Sequence, residues 1–197
     1  MERGARPLVR DIGLGTIATI WVCGLEGNFV AGVIECSIRL ELTIAEVMKL
    51  LAERVDDLGA KILLRFIARE SENHAKTLRD IATLLSLPSG TILGGKECRR
   101  FLGVMGAEAL GRYEELLEKL RKGWRPTPDE VIQLIDDELA RYEEVVGEEL
   151  VAGVLYKILE EVARREEVQL LLRSIREDEQ EHTRMLRMVR NLIRSRM

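Results

Sequence analysis

The chain of 197 residues reads as an all-α protein: a four-helix bundle made of two duplicated helical hairpins, with a connector helix between them and an apolar segment in front. Three observations predict this. Long stretches carry apolar residues at helical spacing, and no strand-like alternation of useful length occurs. Aromatic residues are only 4% of a chain that is 46% hydrophobic, the make-up of a bundle packed with Leu, Ile, Val and Ala rather than of a β-sandwich or barrel. The sequence also repeats itself at an offset of 108 residues. In the window 63–79 against 171–187, seven of seventeen positions are identical, among them His74 and His182, the only two histidines. Further upstream, Glu41 falls on Glu149 at the same offset.

The first hairpin covers about 29–86. Its first helix runs from roughly Phe29 to Asp56, with Ile44, Val47, Met48, Leu51 and Val55 at helical spacing. Asp56-Asp57-Leu58-Gly59 supplies a turn and an N-cap. The second helix spans about Ala60 to Leu85 and stops near Pro88-Ser89-Gly90. A connector helix follows over about 96–122, loosened by Gly103, Gly106 and Gly111. A connector of this length suits two hairpins joined into one bundle, since it must carry the chain to the correct end. Gly123-Trp124-Arg125-Pro126 breaks the helix. The second hairpin covers about 128–196. Thr127-Pro128-Asp129-Glu130 opens it with a capping box, Thr127 as N-cap and Glu130 at N3. That helix is expected to continue to about Ala163, and the last to begin near Glu166. The charged run Arg164-Arg165-Glu166-Glu167 reads as a solvated turn. A single domain over 1–197 fits the length.

Charge and cysteine content narrow the function classes. A net charge of −4 gives no electrostatic case for nucleic acid. Cys23, Cys36 and Cys98 are odd in number, far apart and free of any C-x-x-C spacing, so they read as ordinary thiols in a reducing cytoplasm. The apolar run 12–25 is shorter than a membrane span needs and is followed by Glu26 and Asn28; it reads as a buried segment, one able to pack on a partner subunit, rather than a signal peptide. Trp21 and Trp124 are expected to anchor segments outside the bundle. Three Gln and three Asn against abundant Glu and Arg suggest a heat-adapted source.

The chemistry concentrates around the repeated histidines. Glu41 lies 17 residues before Leu58 and His74 lies 16 after it. At about 1.5 Å rise per residue both stand at one height of the first hairpin. Glu149 and His182 flank Arg165 in the same way. Glu179 and His182, three apart, share one helix face. All sit in apolar stripes with Ile67, Leu78, Ile175 and Leu186, so they are expected to point inward. Carboxylates and imidazoles converging inside a bundle would repel one another without a cation, and the mixture suits iron, manganese or zinc. Glu144 or Glu148 could replace Glu149 in this set, and Glu46 could replace Glu41 if the first helix were rotated. Tyr156 reads as a core residue more readily than as a proton relay.

Glu41, Glu149 and Glu179-Gln180-Glu181-His182, with Tyr156 seven residues after Glu149, resemble the rubrerythrin branch of the ferritin-like di-iron carboxylate superfamily. The likeness covers about 36–86 and 140–192. It implies a ferritin-like bundle and a metal centre of Glu41, His74, Glu149, Glu179 and His182, two iron ions being the first expectation. It also implies oxidase, ferroxidase or peroxide-consuming activity, with O₂ or peroxide in the open position beside Ser71. Two positions depart from that family: Ser71 stands where it has the second-helix Glu, and Ala152 where it has a further Glu. No rubredoxin-type cysteine module is present in this sequence. Two other readings stand beside this one. One is a degenerate bundle that binds one ion or none. The other is a helical interaction module. A homodimer is compatible with all three.

Overall fold

The computed structural model describes residues 27–87, 95–144, 156, 159–160, 163 and 165–197. They form an all-α structure of five helices: α1 Gly27–Ala52, α2 Leu58–Leu84, α3 Gly95–Arg121, α4 Pro128–Glu144 and α5 Glu166–Arg194. Tyr156, Leu159 and Glu160, between α4 and α5, are helical as well. Among the described residues there is no strand. The apolar run 12–25, Trp21, Cys23, Glu148, Glu149 and Ala152 lie outside them.

Local chemistry sets the helix ends. The Asp57 carboxylate accepts a hydrogen bond from the Ala60 amide at 2.8 Å, satisfying one of the orphan donors of α2; such a cap contributes about 1 kcal/mol. Asp57 also pairs with Arg196 just beyond α5, which fastens the end of α5 to the start of α2. At the start of α4 the capping box is complete. The Thr127 amide donates to Glu130 Oε2 at 2.6 Å, and the Glu130 amide donates to Thr127 Oγ1 at 3.3 Å. Trp124 packs part-buried against the core, and its carbonyl accepts from Arg54.

Helix α1 packs against α2 and α3, and α5 packs against α2 and α4. The buried apolar residues fall into two clusters. One contains Ile34, Leu78, Ile81, Leu172 and Ile175; the other contains Val47, Leu51, Leu64, Ile67, Leu186 and Val189. Apart from Ser37, the buried polar residues of α1, α2 and α5 lie between members of the two clusters. Glu41 stands between Leu40 and Val47, His74 between Ile67 and Leu78, and Glu179 and His182 between Ile175 and Leu186. A polar layer thus divides the core at mid-height.

Helix α3 is two helices joined at Gly103, whose φ of 69° belongs to the left-handed region that glycine adopts without a Cβ penalty. Before this residue the chain runs antiparallel to α1, with Phe101 over Gly32 and Cys98 against Cys36. After it the chain runs parallel to α1, with Glu114 on Arg39 and Arg121 on Glu46. A Cβ at Gly32 would stand 2.3 Å from the Phe101 ring, so the close approach of the two helices requires glycine there.

The cysteine expectation is corrected here. Cys36 and Cys98 are not free thiols: both are fully buried and joined in a disulfide across 62 residues of sequence. Nothing in their spacing signals this, because the pairing depends on the chain reversal at Gly103. A bond closing a loop of that length stabilises by about 4 kcal/mol in the chain-entropy account. Among the described residues no helix is long and apolar enough to cross a membrane. Denatured, unreduced protein is therefore expected to expose a single titratable thiol and reduced protein three. Dithiothreitol should lower the thermal midpoint of the wild type but not of Cys36→Ser/Cys98→Ser; three thiols before reduction would refute the pairing.

Candidate metal centre

The polar layer is built from one residue of α1, two of α2, two of α5 and Tyr156. On α2, Ser71 and His74 are three apart and occupy the face that also carries Leu64, Ile67 and Leu78. On α5, Glu179 and His182 repeat that arrangement between Ile175 and Leu186. The layer is enclosed: Glu41 is 1% exposed, His74 3%, Glu179 4% and His182 4%.

Glu179 sits at the centre. Its Oε1 is 3.0 Å from His74 Nδ1 and 3.4 Å from His182 Nδ1. His74 Nδ1 is also 3.7 Å from Glu41 Oε2. The two imidazole centroids are 5.6 Å apart. These are ion-pair distances; Glu41 Oε2, His74 Nδ1, His182 Nε2 and Ser71 Oγ have no well-directed hydrogen bond among the described residues. Glu41 Oε1 accepts from the hydroxyl of Tyr156, which is 1% exposed. The outer nitrogen of His74, Nε2, is 3.3 Å from Asp178 Oδ2. With the proton on Nε2, donated to Asp178, the Nδ1 lone pair faces Glu41 and Glu179, the arrangement by which carboxylates orient metal-binding histidines.

The spacing fits a cation. Around an ion with bonds of about 2.1 Å, adjacent ligand atoms stand about 3.0 Å apart in an octahedron and about 3.4 Å in a tetrahedron. One donor atom each from Glu41, His74 and Glu179 lies within 4.8 Å of the others, so these three form a position for one ion. His182 Nδ1 stands 3.4 Å from the same Glu179 oxygen, a further nitrogen donor beside this group. Glu70 and Asp178 form a second, more exposed group around His74.

Without a cation the layer is electrostatically loaded. Burial raises the Glu41 carboxyl above its ordinary 4.5, and the charge of Glu179 adds to this. Burial alone would pull His74 down, but Glu179 and Glu41 outweigh it and push it up to about 11. Burial would likewise raise Glu179, yet His182 and His74 hold it down to about 2. His182 moves upward, its burial outweighed by Glu179. Burial, with the charges of Glu41 and Glu179, drives Tyr156 well above 10.0. Imidazolium thus stands in for a cation beside the carboxylates, while Glu41 Oε2 and Ser71 Oγ keep no hydrogen-bond partner among the described residues.

Of the five residues expected from the sequence, Glu41, His74, Glu179 and His182 meet in this layer, and Glu149 lies outside the described residues. Glu46, the alternative on α1, is on the surface with Arg121. Glu72 pairs with Lys49 at the surface. Arg165 binds Glu167 and the Leu84 carbonyl, so this residue of the run does more than meet solvent. Sequence reasoning missed Asp178; Tyr156 is the core residue expected, and its hydroxyl also reaches Glu41. The signal for Asp178 was its place directly before Glu179, facing the neighbouring hairpin. Comparison of the chain with protein-family models, curated proteins and solved structures gives no match.

The charges of the metal-free layer fix a pH dependence. A histidine raised from 6.5 to about 11 stabilises the fold fully below pH 6.5 and loses that contribution as pH climbs through 11. A glutamate lowered from 4.5 to about 2 stabilises fully above pH 4.5 and loses the contribution as pH falls through 2. Both contributions are complete between 4.5 and 6.5. In chelator-treated protein the urea midpoint is expected to fall from about pH 6 to about pH 9.5 more steeply for wild type than for His74→Gln. Parallel curves for the two proteins would contradict a charged His74.

Proposed function

We propose that this chain is a carboxylate–histidine metalloprotein related to the rubrerythrin branch of the ferritin-like superfamily. In this reading it binds iron in the polar layer, with manganese or zinc as alternatives, and consumes O₂ or peroxide. The observation that carries the reading is the meeting of Glu41, His74, Glu179 and His182 in one buried layer, with polar atoms of Glu41, His74 and His182 left without hydrogen bonds among the described residues. Buried polar groups without partners are costly, each by about 1–3 kcal/mol, and a cation would satisfy these together. The repeat and the Glu-x-x-His motif add the family resemblance.

A bound transition-metal ion supplies Lewis acidity and, for iron, one-electron redox capacity. The residues supply the rest. Glu41, His74 and Glu179 hold the first position, and Glu179 and His182 begin the second, with Glu149 the fifth member of the proposed set. Asp178 keeps the His74 Nε2 proton in place. The Tyr156 hydroxyl, on Glu41, brings a phenolic proton into the layer and is held in its neutral form by burial. The two apolar clusters exclude water. Ser71, at the repeat position matching Glu179, donates no carboxylate and leaves room for a small oxidant. A homodimer is proposed as the assembly.

One observation favours the second reading, a bundle holding a single ion. Among the described residues only one complete three-donor position appears around Glu179, and Ser71 removes the donor that would match it in the first half.

Protein loaded anaerobically with Fe(II) and desalted is expected to retain one to two ions per chain. Fewer than about one ion for every two chains would count against the di-metal reading and the single-ion form of the second. Asp178→Asn is expected to weaken metal binding about tenfold or more, and Ser71→Glu to raise the stoichiometry. Elemental analysis and Co(II) absorption titrations measure both; unchanged binding in Asp178→Asn would remove that residue's orienting role.

A further inference from the structure

Beside the polar layer lies a cavity of about 820 Å³ between α1, α2, α3, α4 and α5. Its walls are mainly apolar, with Met48, Leu51, Leu134, Ile135, Leu186 and Trp124 among them. The volume falls within the range of about 300–1,000 Å³ typical of small-molecule clefts. The cavity approaches the layer closely. Leu186 is one turn beyond His182, about 6 Å along the axis, and Met48 is two turns beyond Glu41 on the same face. Glu138, on the cavity wall, feels the charge of Glu179.

The charged groups of the lining already have partners. Arg112 faces Glu138 at 3.8 Å, Lys119 pairs with Glu115 at 2.8 Å, and Lys122 pairs with Glu118. Glu130 is engaged with the Thr127 amide and Asp137 with the Gln133 side chain. The lining has three cationic and four anionic groups, each with an ion-pair or hydrogen-bond partner, so none stands unpaired for a ligand of opposite sign, and a charged guest would enter apolar walls uncompensated. One polar end remains: the loose Arg112–Glu138 pair, to which Tyr113 adds a hydrogen bond. It offers a donor and an acceptor to a hydroxyl or carbonyl.

We propose that this cavity binds an uncharged, largely apolar small molecule bearing one hydroxyl or carbonyl group, and presents it next to the polar layer. Binding depends on the cavity alone; its relevance to metal chemistry rests on the function proposed above. A second copy of the chain is the competing occupant, and the test separates the two.

Calorimetric titration of metal-free protein with 1-decanol is expected to show saturable binding, with decanoate and decylammonium at least about tenfold weaker. Leu134→Trp, which fills the cavity from a part-buried position, should weaken decanol binding at least about tenfold while leaving helix content and Co(II) binding unchanged. In Co(II)-loaded wild type, decanol should alter the visible absorption. Absent or non-saturable decanol binding overturns the proposal while leaving a Co(II) site standing. Decanol binding without any Co(II) uptake leaves the cavity assignment intact and removes the metal reading. Tighter binding of either charged analogue contradicts the neutral-ligand assignment. If Leu134→Trp changes the mass measured by light scattering and not the affinity, the cavity is a contact between copies and the proposal falls.

Discussion

A charged layer at mid-height of an apolar core is the constraint on which this structure depends. Taking carboxylates and imidazoles out of water is expensive, and the cost is offset only if the groups are brought to one another or to a cation. Here Glu179 stands between His74 and His182, and Glu41 closes the set from α1. The three helices that bear these groups must therefore keep one relative height. Apolar packing above and below enforces this, since a slip along any axis would bring Ile67, Leu78, Ile175 or Leu186 against a charge.

The layer is not symmetric although the sequence around it is. His74 and His182 are equivalent under the repeat, but Ser71 and Glu179 are not. One carboxylate consequently serves two imidazoles, and its acidity is strengthened by both. The imbalance makes Glu179 the residue whose loss would disturb the most neighbours. Glu41 differs again: with Tyr156 donating to one oxygen and its other oxygen unpartnered, its carboxyl is driven upward by burial.

Much of this was legible from spacing. The offset of 108 residues placed both histidines at one level, the capping box at Thr127–Glu130 marked the start of α4, and Asp57 marked the start of α2. Such signals are local or periodic, and helices convert them directly into positions. The chain reversal at Gly103 was visible only as a glycine-rich stretch, because the sign of one backbone angle is not written in composition. The Cys36–Cys98 bond depends on that reversal and so stayed hidden. Asp178 was missed for a different reason: its partner is on another hairpin, and half-exposed acids abound on α5. The ferritin-like assignment rests on the motif and the repeat rather than on the architecture of the described residues.

The disulfide has a topological consequence. The covalent ring it closes contains Glu41, Ser71 and His74, while Glu179 and His182 lie on the open chain beyond it. An oxidised chain that loses its tertiary packing still keeps the first two donors tethered within a closed loop. Departure of α5 therefore separates Glu179 and His182 from a pair that the covalent ring continues to hold together.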